Sequence, residues 1–421
     1  MKRDTIIKAQ NIPQSPKILI RLPNWLGDAV MSTPALELLK SHFSKARFCL
    51  VAPSGVLEVF RGDESVEVFI PDESKKSKCR VLATKALANR VINDFGVPDI
   101  ALTLTNHFYS ALFLSLTKAR FRVGYKRVFG SVLLNKSVPK LRNIHQVLSY
   151  ANLARRVIDL PDFSGFCDIK TLESITPNLK LYLAKEAKTP SEFLDIFCDK
   201  SCDKDAIKKS NQKIIGLNPA AAYGSAKRWL PSYFAEVASY FALRGEVVVI
   251  FGTKGDYELG ERIRTQAQNL AQDFAQNSAQ HFGLDFAKKS KTQENIQEEN
   301  IQGKSVQENI LNLCGKTDIQ GLMRVVSKLS VFITNDSGPM HISCALGVPT
   351  IALFGPTKSS ETNGFRAKDF TLLQKEVPCA PCKKRECPLP KGEGHHKCMV
   401  DLLPSLVIDE ANKILEKYAK S

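Results

Sequence analysis

Short apolar runs alternate along most of the chain with longer stretches of helical periodicity. KILIR at residues 17–21 reads as a strand, residues 33–43 as a helix, RFCLVA at 47–52 as a strand and DIALTL at 99–104 as another. This alternation predicts a parallel sheet joined by crossover helices. A second series begins with KIIGLN at 213–218, runs through a helix near 232–242, and resumes with EVVVIFG at 246–252, SVFIT at 330–334 and TIALF at 350–354. The pattern therefore predicts two doubly wound α/β units. Residues 1–185 form the first and 213–404 the second, joined by a polar, charged linker at 186–212. A last helix at about 405–421 is free to pack back on the first domain.

Residues 266–309 interrupt the alternation. They hold fourteen Gln or Asn and a crude QENIQ repeat, and they read as an inserted polar excursion, partly disordered or marginally helical.

Composition changes this picture in one respect. The 421 residues, 43% hydrophobic and 24% charged, are ordinary for two or three globular domains, but the formal net charge of +16 is not. Such a surplus favours an acidic partner: nucleic acid, anionic lipid or a phosphorylated substrate. Scattered lysines that only aid solubility are the plainer alternative. The first residues have no apolar segment of signal-peptide length, and no window approaches ~18 uninterrupted apolar residues. A cytoplasmic protein is expected, with peripheral contact to the inner membrane compatible with its charge. Its eleven cysteines are then reduced thiols.

Three stretches carry candidate chemistry. In RLPNWLGDAVMSTPAL, Asp28 follows a strand and enters a helix, the junction where open α/β sheets bind ligands. Spacing leaves open whether Asp28 or Ser32 merely caps a helix. In NPAAAYGSAKRWLP, small residues after the first strand of the second unit let backbone N–H groups approach a diphosphate, with Lys227 and Arg228 as countercharges. The Gly-Lys-Ser/Thr ending of a Walker motif is absent. In TNDSGPMHISCALGVPTIALFGPT, a strand runs into Asp336, Ser337 and Gly338, and His341 lies on the first helical turn. A helix start there suits an anion.

Late in the chain, Cys379, Cys382, Cys387 and Cys398 give C-x2-C-x4-C-x10-C, with His395 and His396 beside the last. Four thiolates can close a structural zinc site. The spacing departs from the usual paired arrangement, so reduced thiols in a packed loop are the default reading and metal is not expected.

These stretches, together with CAPCKKRECPL and GHHKCM, resemble the ADP-heptose:LPS heptosyltransferase II family (glycosyltransferase family 9) over most of the chain. The resemblance implies a GT-B fold of two facing Rossmann-like domains, the acceptor on the first and the nucleotide sugar on the second. It implies an inverting glycosyltransferase that moves heptose from ADP-heptose onto the first heptose of the lipopolysaccharide inner core and requires no cofactor or metal. By motif position Asp28 is the candidate base and Lys227 the phosphate-binding lysine. Ser337, Gly338 and His341 surround the diphosphate, Asp336 lies beside the sugar, Asp256 contacts the ribose and Thr317 lines the adenine pocket. For the anionic inner-core lipid acceptor, RFRVGYKRVFGSVLLN at 120–135, read as a basic loop interleaved with aromatics, offers Arg120, Arg122, Lys126 and Arg127; no nucleic-acid-binding motif competes for it. A related enzyme using Kdo-lipid A or another nucleotide sugar is the alternative, and a nucleotide-binding protein without transferase activity is the alternative of another class.

Overall fold

The computed structural model describes residues 12–127, 130–160, 168–191, 193, 212–277, 306 and 308–419. The chain divides into two compact units, Met1–Lys185 with Ser360–Arg366, and Glu186–Ser359 with Ala367–Ser421. Both are α/β, and each is built on one six-stranded parallel sheet.

In the first unit the strands are β1 (Lys17–Arg21), β2 (Arg47–Ala52), β3 (Val66–Pro71), β4 (Ile100–Thr103), β5 (Phe121–Tyr125) and β6 (Lys136–Val138), in the order β3-β2-β1-β4-β5-β6. Their apolar runs are buried on both faces, as crossover helices require. Leu19, Cys49, Val51, Ile70 and Ala101 pack with Leu87, Val91, Phe113 and Leu114 of the helices Arg80–Asp94 and Phe108–Leu116. The reading of residues 120–135 as a basic loop is corrected here: Phe121, Val123 and Tyr125 alternate as buried positions of β5. Interleaved arginine and lysine had masked that period of two.

The second unit repeats the topology. Strands β7 (Ile214–Asn218), β8 (Val247–Ile250), β9 (Ile310–Asn312), β10 (Val331–Asn335), β11 (Thr350–Phe354) and β12 (Phe370–Gln374) run in the order β12-β11-β10-β7-β8-β9. In each sheet the chain starts at the centre, winds outward, and returns to the other side of its first strand. Strand order therefore reverses between β1 and β4, and again between β7 and β10, where ligands of doubly wound sheets bind.

Two expectations are corrected. Residues 266–277 are not part of a loose excursion: they complete the helix Tyr257–Asn277, whose Ile263, Ala267 and Ala271 enter the core at i, i+4 and i+8. Small alanines among glutamines hid that stripe, while residues 278–305 lie outside the described residues, as does most of the 186–212 linker. The last helix, Pro404–Ala419, does not return to the first unit. It puts Val407, Ile408, Ala411, Ile414 and Leu415 into the second unit's core, beside the helix Pro231–Leu243. That i, i+1, i+4, i+7, i+8 spacing is a buried helical face. Among the described residues no helix is long and apolar enough to cross a membrane.

Candidate functional site

The second unit gathers its candidate residues along the carboxyl edge of its sheet. Asn218 ends β7, and its Nδ2 donates to Thr334 Oγ1 and Ser337 Oγ, both at 3.0 Å. Asn335, at the end of β10, accepts from the Trp229 backbone N–H at 3.0 Å and donates to the Pro219 carbonyl at 2.9 Å. These bonds tie the two central turns together at the switch point. The short turn Ser225–Lys227 then brings Lys227 Nζ to 2.6 Å from Asp336 Oδ2, which also accepts from Thr357 Oγ1 at 2.5 Å. Gly224 is required for that turn, because a Cβ there would lie 2.2 Å from the Arg385 carbonyl oxygen.

Ser337 precedes the helix Gly338–Ala345 as its N-cap residue, yet its hydroxyl serves Asn218 and Thr334 and makes no capping bond. The helix thus opens without a side-chain cap, with Pro339 in its first turn and His341 buried on it. Uncapped N–H groups and a lysine, next to each other, suit a doubly charged anion. Farther along the edge, Asp256 closes a capping box after β8: its Oδ2 accepts from Thr253 N–H at 3.0 Å and Thr253 Oγ1 at 2.5 Å. Thr317 follows β9 and is half-buried, in a turn where Gly315 N–H donates to the Gly252 carbonyl at 3.0 Å. Following the sheet order, Thr357, Asp336 with Ser337, Lys227, Asp256 and Thr317 line one edge.

In the first unit, Asp28 sits in the first turn of the helix Leu26–Met31 and does not cap it. Ser32 Oγ donates back to the Ala29 carbonyl at 2.7 Å and caps nothing either. The Tyr150 hydroxyl, from the helix Gln146–Ile158, donates to Asp28 Oδ1 at 3.3 Å. Burial, and then the negative charge of Asp28, hold the Tyr150 phenol well above its usual range, so it stays a neutral donor. At the end of β1, Arg21 pairs with Asp72 at 2.5 Å and its Nε donates to Ser110 Oγ at 3.0 Å. Burial works to raise Asp72, but the Arg21 charge and the Ser74 hydrogen bonds outweigh it and keep the carboxyl below its ordinary value.

The basic stretch is split. Arg120 precedes β5 at the amino edge of the sheet, whereas Lys126 and Arg127 follow its carboxyl end. The five residues of β5 separate the two groups by about 20 Å. Arg122, half-buried, donates to the Leu133 and Ala119 carbonyls at 2.9 and 2.7 Å, so its guanidinium serves the fold. What joins Arg127 instead is a set the linear sequence did not single out. His107 is depressed by its partial burial and then by the charges of Lys75, Arg127, Arg80 and Arg21. Arg80 stacks 4.0 Å above the Tyr109 ring, and its Nε is buried without a hydrogen-bond partner.

Cys379, Cys382, Cys387 and Cys398 line one small pocket with His396 and Ala226. Burial first, and then the other three thiols, push Cys398 up to about 11. Among the described residues no group of three or more His, Cys, Asp or Glu is arranged to hold a metal ion. The loop has another role that its composition did not announce. His396 Nε2 bonds the Ala226 carbonyl at 3.0 Å, Arg385 accepts from Ala226 N–H at 2.9 Å, and the Tyr223 hydroxyl donates to the Lys383 carbonyl at 2.9 Å. The cysteine-rich loop thus props the turn that carries Lys227.

Comparison with known proteins gives the family and the fold. The model of glycosyltransferase family 9 (heptosyltransferase) matches residues 95–285 and 279–392. The chain is 30% identical over 398 residues to lipooligosaccharide heptosyltransferase 2 of Campylobacter jejuni, covering 94% of this chain and 99% of that one. Among solved structures, the ADP-heptose LPS heptosyltransferase II of E. coli superposes with a TM-score of 0.66 at 24% identity, covering 96% and 99% of the two chains. A glycosyltransferase family 9 structure from Veillonella parvula gives 0.69 at 20% identity, covering 96% and 98%.

Proposed function

Because the chain belongs to glycosyltransferase family 9, the heptosyltransferases, we propose that it moves L-glycero-D-manno-heptose from ADP-heptose onto the first heptose of the lipopolysaccharide inner core. The observation that carries this reading is the Lys227–Asp336–Thr357 constellation beside an uncapped helix start at the switch point of the second sheet. Lys227 and the helix N–H groups would take the diphosphate, with Ser337, Gly338 and His341 around it. Asp336, released from Lys227 by that stronger anion, would then face the sugar. Asp256 and Thr317, farther along the same edge, are assigned to the ribose and the adenine.

In the reaction an acceptor hydroxyl attacks the anomeric carbon from the face opposite the diphosphate. Its proton passes to Asp28 as the new glycosidic bond forms, and the anomeric C–O bond breaks to release ADP. A general base contributes roughly 10²–10⁴-fold to such a step. The cation stabilising the departing diphosphate is Lys227, so turnover is expected to persist in EDTA. On the acceptor side we assign the anionic lipid to Lys126 and Arg127 together with Lys75 and Arg80, in place of Arg120 and Arg122. An acceptor in the membrane places the enzyme at the cytoplasmic face of the inner membrane, as a peripheral protein.

ADP release from ADP-heptose, with heptosyl-Kdo-lipid A as acceptor, tests the reading. Acceptor-dependent ADP supports it. Equal release with Kdo-lipid A alone would move the enzyme one step earlier, and ADP-heptose binding without any release would leave only a nucleotide-binding protein.

A further inference from the structure

Asp28 lies in the first turn of a six-residue helix. One of the elements packed against that helix is the helix Gln146–Ile158. Its first turn is capped by His145 Nδ1, which accepts from the Val147 N–H at 3.2 Å. Its second residue layer is pinned by Tyr125, whose hydroxyl reaches Ser149 Oγ at 2.8 Å and donates to the Ser149 carbonyl at 2.9 Å. Tyr150, only 4% exposed, rides on this helix and donates to Asp28 Oδ1.

The ionisable groups acting on Tyr150 are Asp28 and Tyr125, and both disfavour its charged form.

We infer that Tyr150 is a positioning residue for the base Asp28: it anchors one carboxylate oxygen and keeps the group ionised and oriented toward the acceptor hydroxyl. The inference rests on the assignment of Asp28 as base. A 3.3 Å separation is long for an O–H···O bond, as catalytic hydrogen bonds often are before substrate is bound. Donation to a carboxylate favours its charged form, so loss of the phenol should raise the Asp28 pKa.

The test compares Tyr150→Phe and Asp28→Asn in the ADP-release assay as a function of pH. For Tyr150→Phe, which keeps the buried ring, kcat should fall about tenfold and the acid limb of kcat/KM should move up by about one pH unit, with KM for ADP-heptose within about twofold. An unmoved limb and kcat within about twofold in Tyr150→Phe, with Asp28→Asn inactive, would overturn the positioning role while the base assignment survives. Full activity of Asp28→Asn would instead overturn the base assignment, and the inference with it.

Discussion

At the β1–β4 junction of the first unit, Arg21 is locked against Asp72 with side chains only 4% and 2% exposed. At the β7–β10 junction of the second, Lys227 meets Asp336 with 12% and 5% exposed, under a turn that carries no further side-chain cap. The two sheets have the same strand order and the same switch point, so topology does not explain the difference. What differs is how each cation is held. Each cation lies against a ring, Arg21 at 5.6 Å from the Phe113 centroid and Lys227 at 4.9 Å from that of Tyr223. But Arg21 is spent on both Asp72 and Ser110, whereas Lys227 has one carboxylate that a diphosphate can replace. A cation at a strand end is therefore structural or functional according to how completely its neighbours satisfy it.

Four expected effects test that contrast. The largest effect is expected at Asp28: Asp28→Asn should lower kcat by about 10³-fold or more while ADP-heptose affinity, by calorimetry, stays within a few-fold. Next, Arg21→Met should cost roughly 3–5 kcal/mol of stability in denaturant unfolding, because it strands a buried carboxylate. Lys227→Met should cost far less stability but weaken ADP binding about 100-fold, as loss of a charge-assisted contact to phosphate does. If both variants lost only stability, or both only affinity, the contrast between the two junctions would collapse.

The third effect separates the units by pH. Burial holds His145 down to about 4, with the Asn363 carbonyl only partly opposing, and it caps the helix that carries Tyr150. A histidine lowered on folding is bound by more protons in the unfolded chain. Stability should thus be complete above pH 6.5 and fall as pH drops toward 4, by up to about 3 kcal/mol. Hydrogen exchange in residues 146–158 should accelerate over that window, with no matching change in residues 214–250. The smallest effect belongs to Arg120→Ala, which should leave KM for the lipid acceptor within about twofold, whereas Arg127→Ala should raise it several-fold. A reversal would restore the linear reading of the basic stretch.

Much of the fold was legible because long buried runs leave an unambiguous period. The strands β1, β2, β7 and β11, the two doubly wound units and the three motif turns were all readable in the chain. The strands β5, β9 and β12 were not: β5 is interleaved with charge, β9 has three residues, and β12 is an edge strand without a buried run. Nor were the helix continuing to Asn277 and the core role of the final helix, which depend on what packs against them.

The sequence by itself determined which residues stand at strand ends: Asp28, Lys227, Asp336 and Ser337 follow apolar runs, and connectivity alone carries them to the carboxyl edge. Tertiary structure decided which of them meet, and what each is left free to do. It brought Tyr150 to Asp28 from 122 residues away and Thr357 to Asp336 from the next strand. It also put a strand's length between Arg120 and Arg127 and brought the charges of Lys75, in the turn Ser74–Lys76, and Arg80, at the start of the helix Arg80–Asp94, to bear on His107. The physical reason is that hydrogen bonds and ion pairs act over a few ångströms in space, whereas sequence patterns report only the chain's own neighbours and which face is buried.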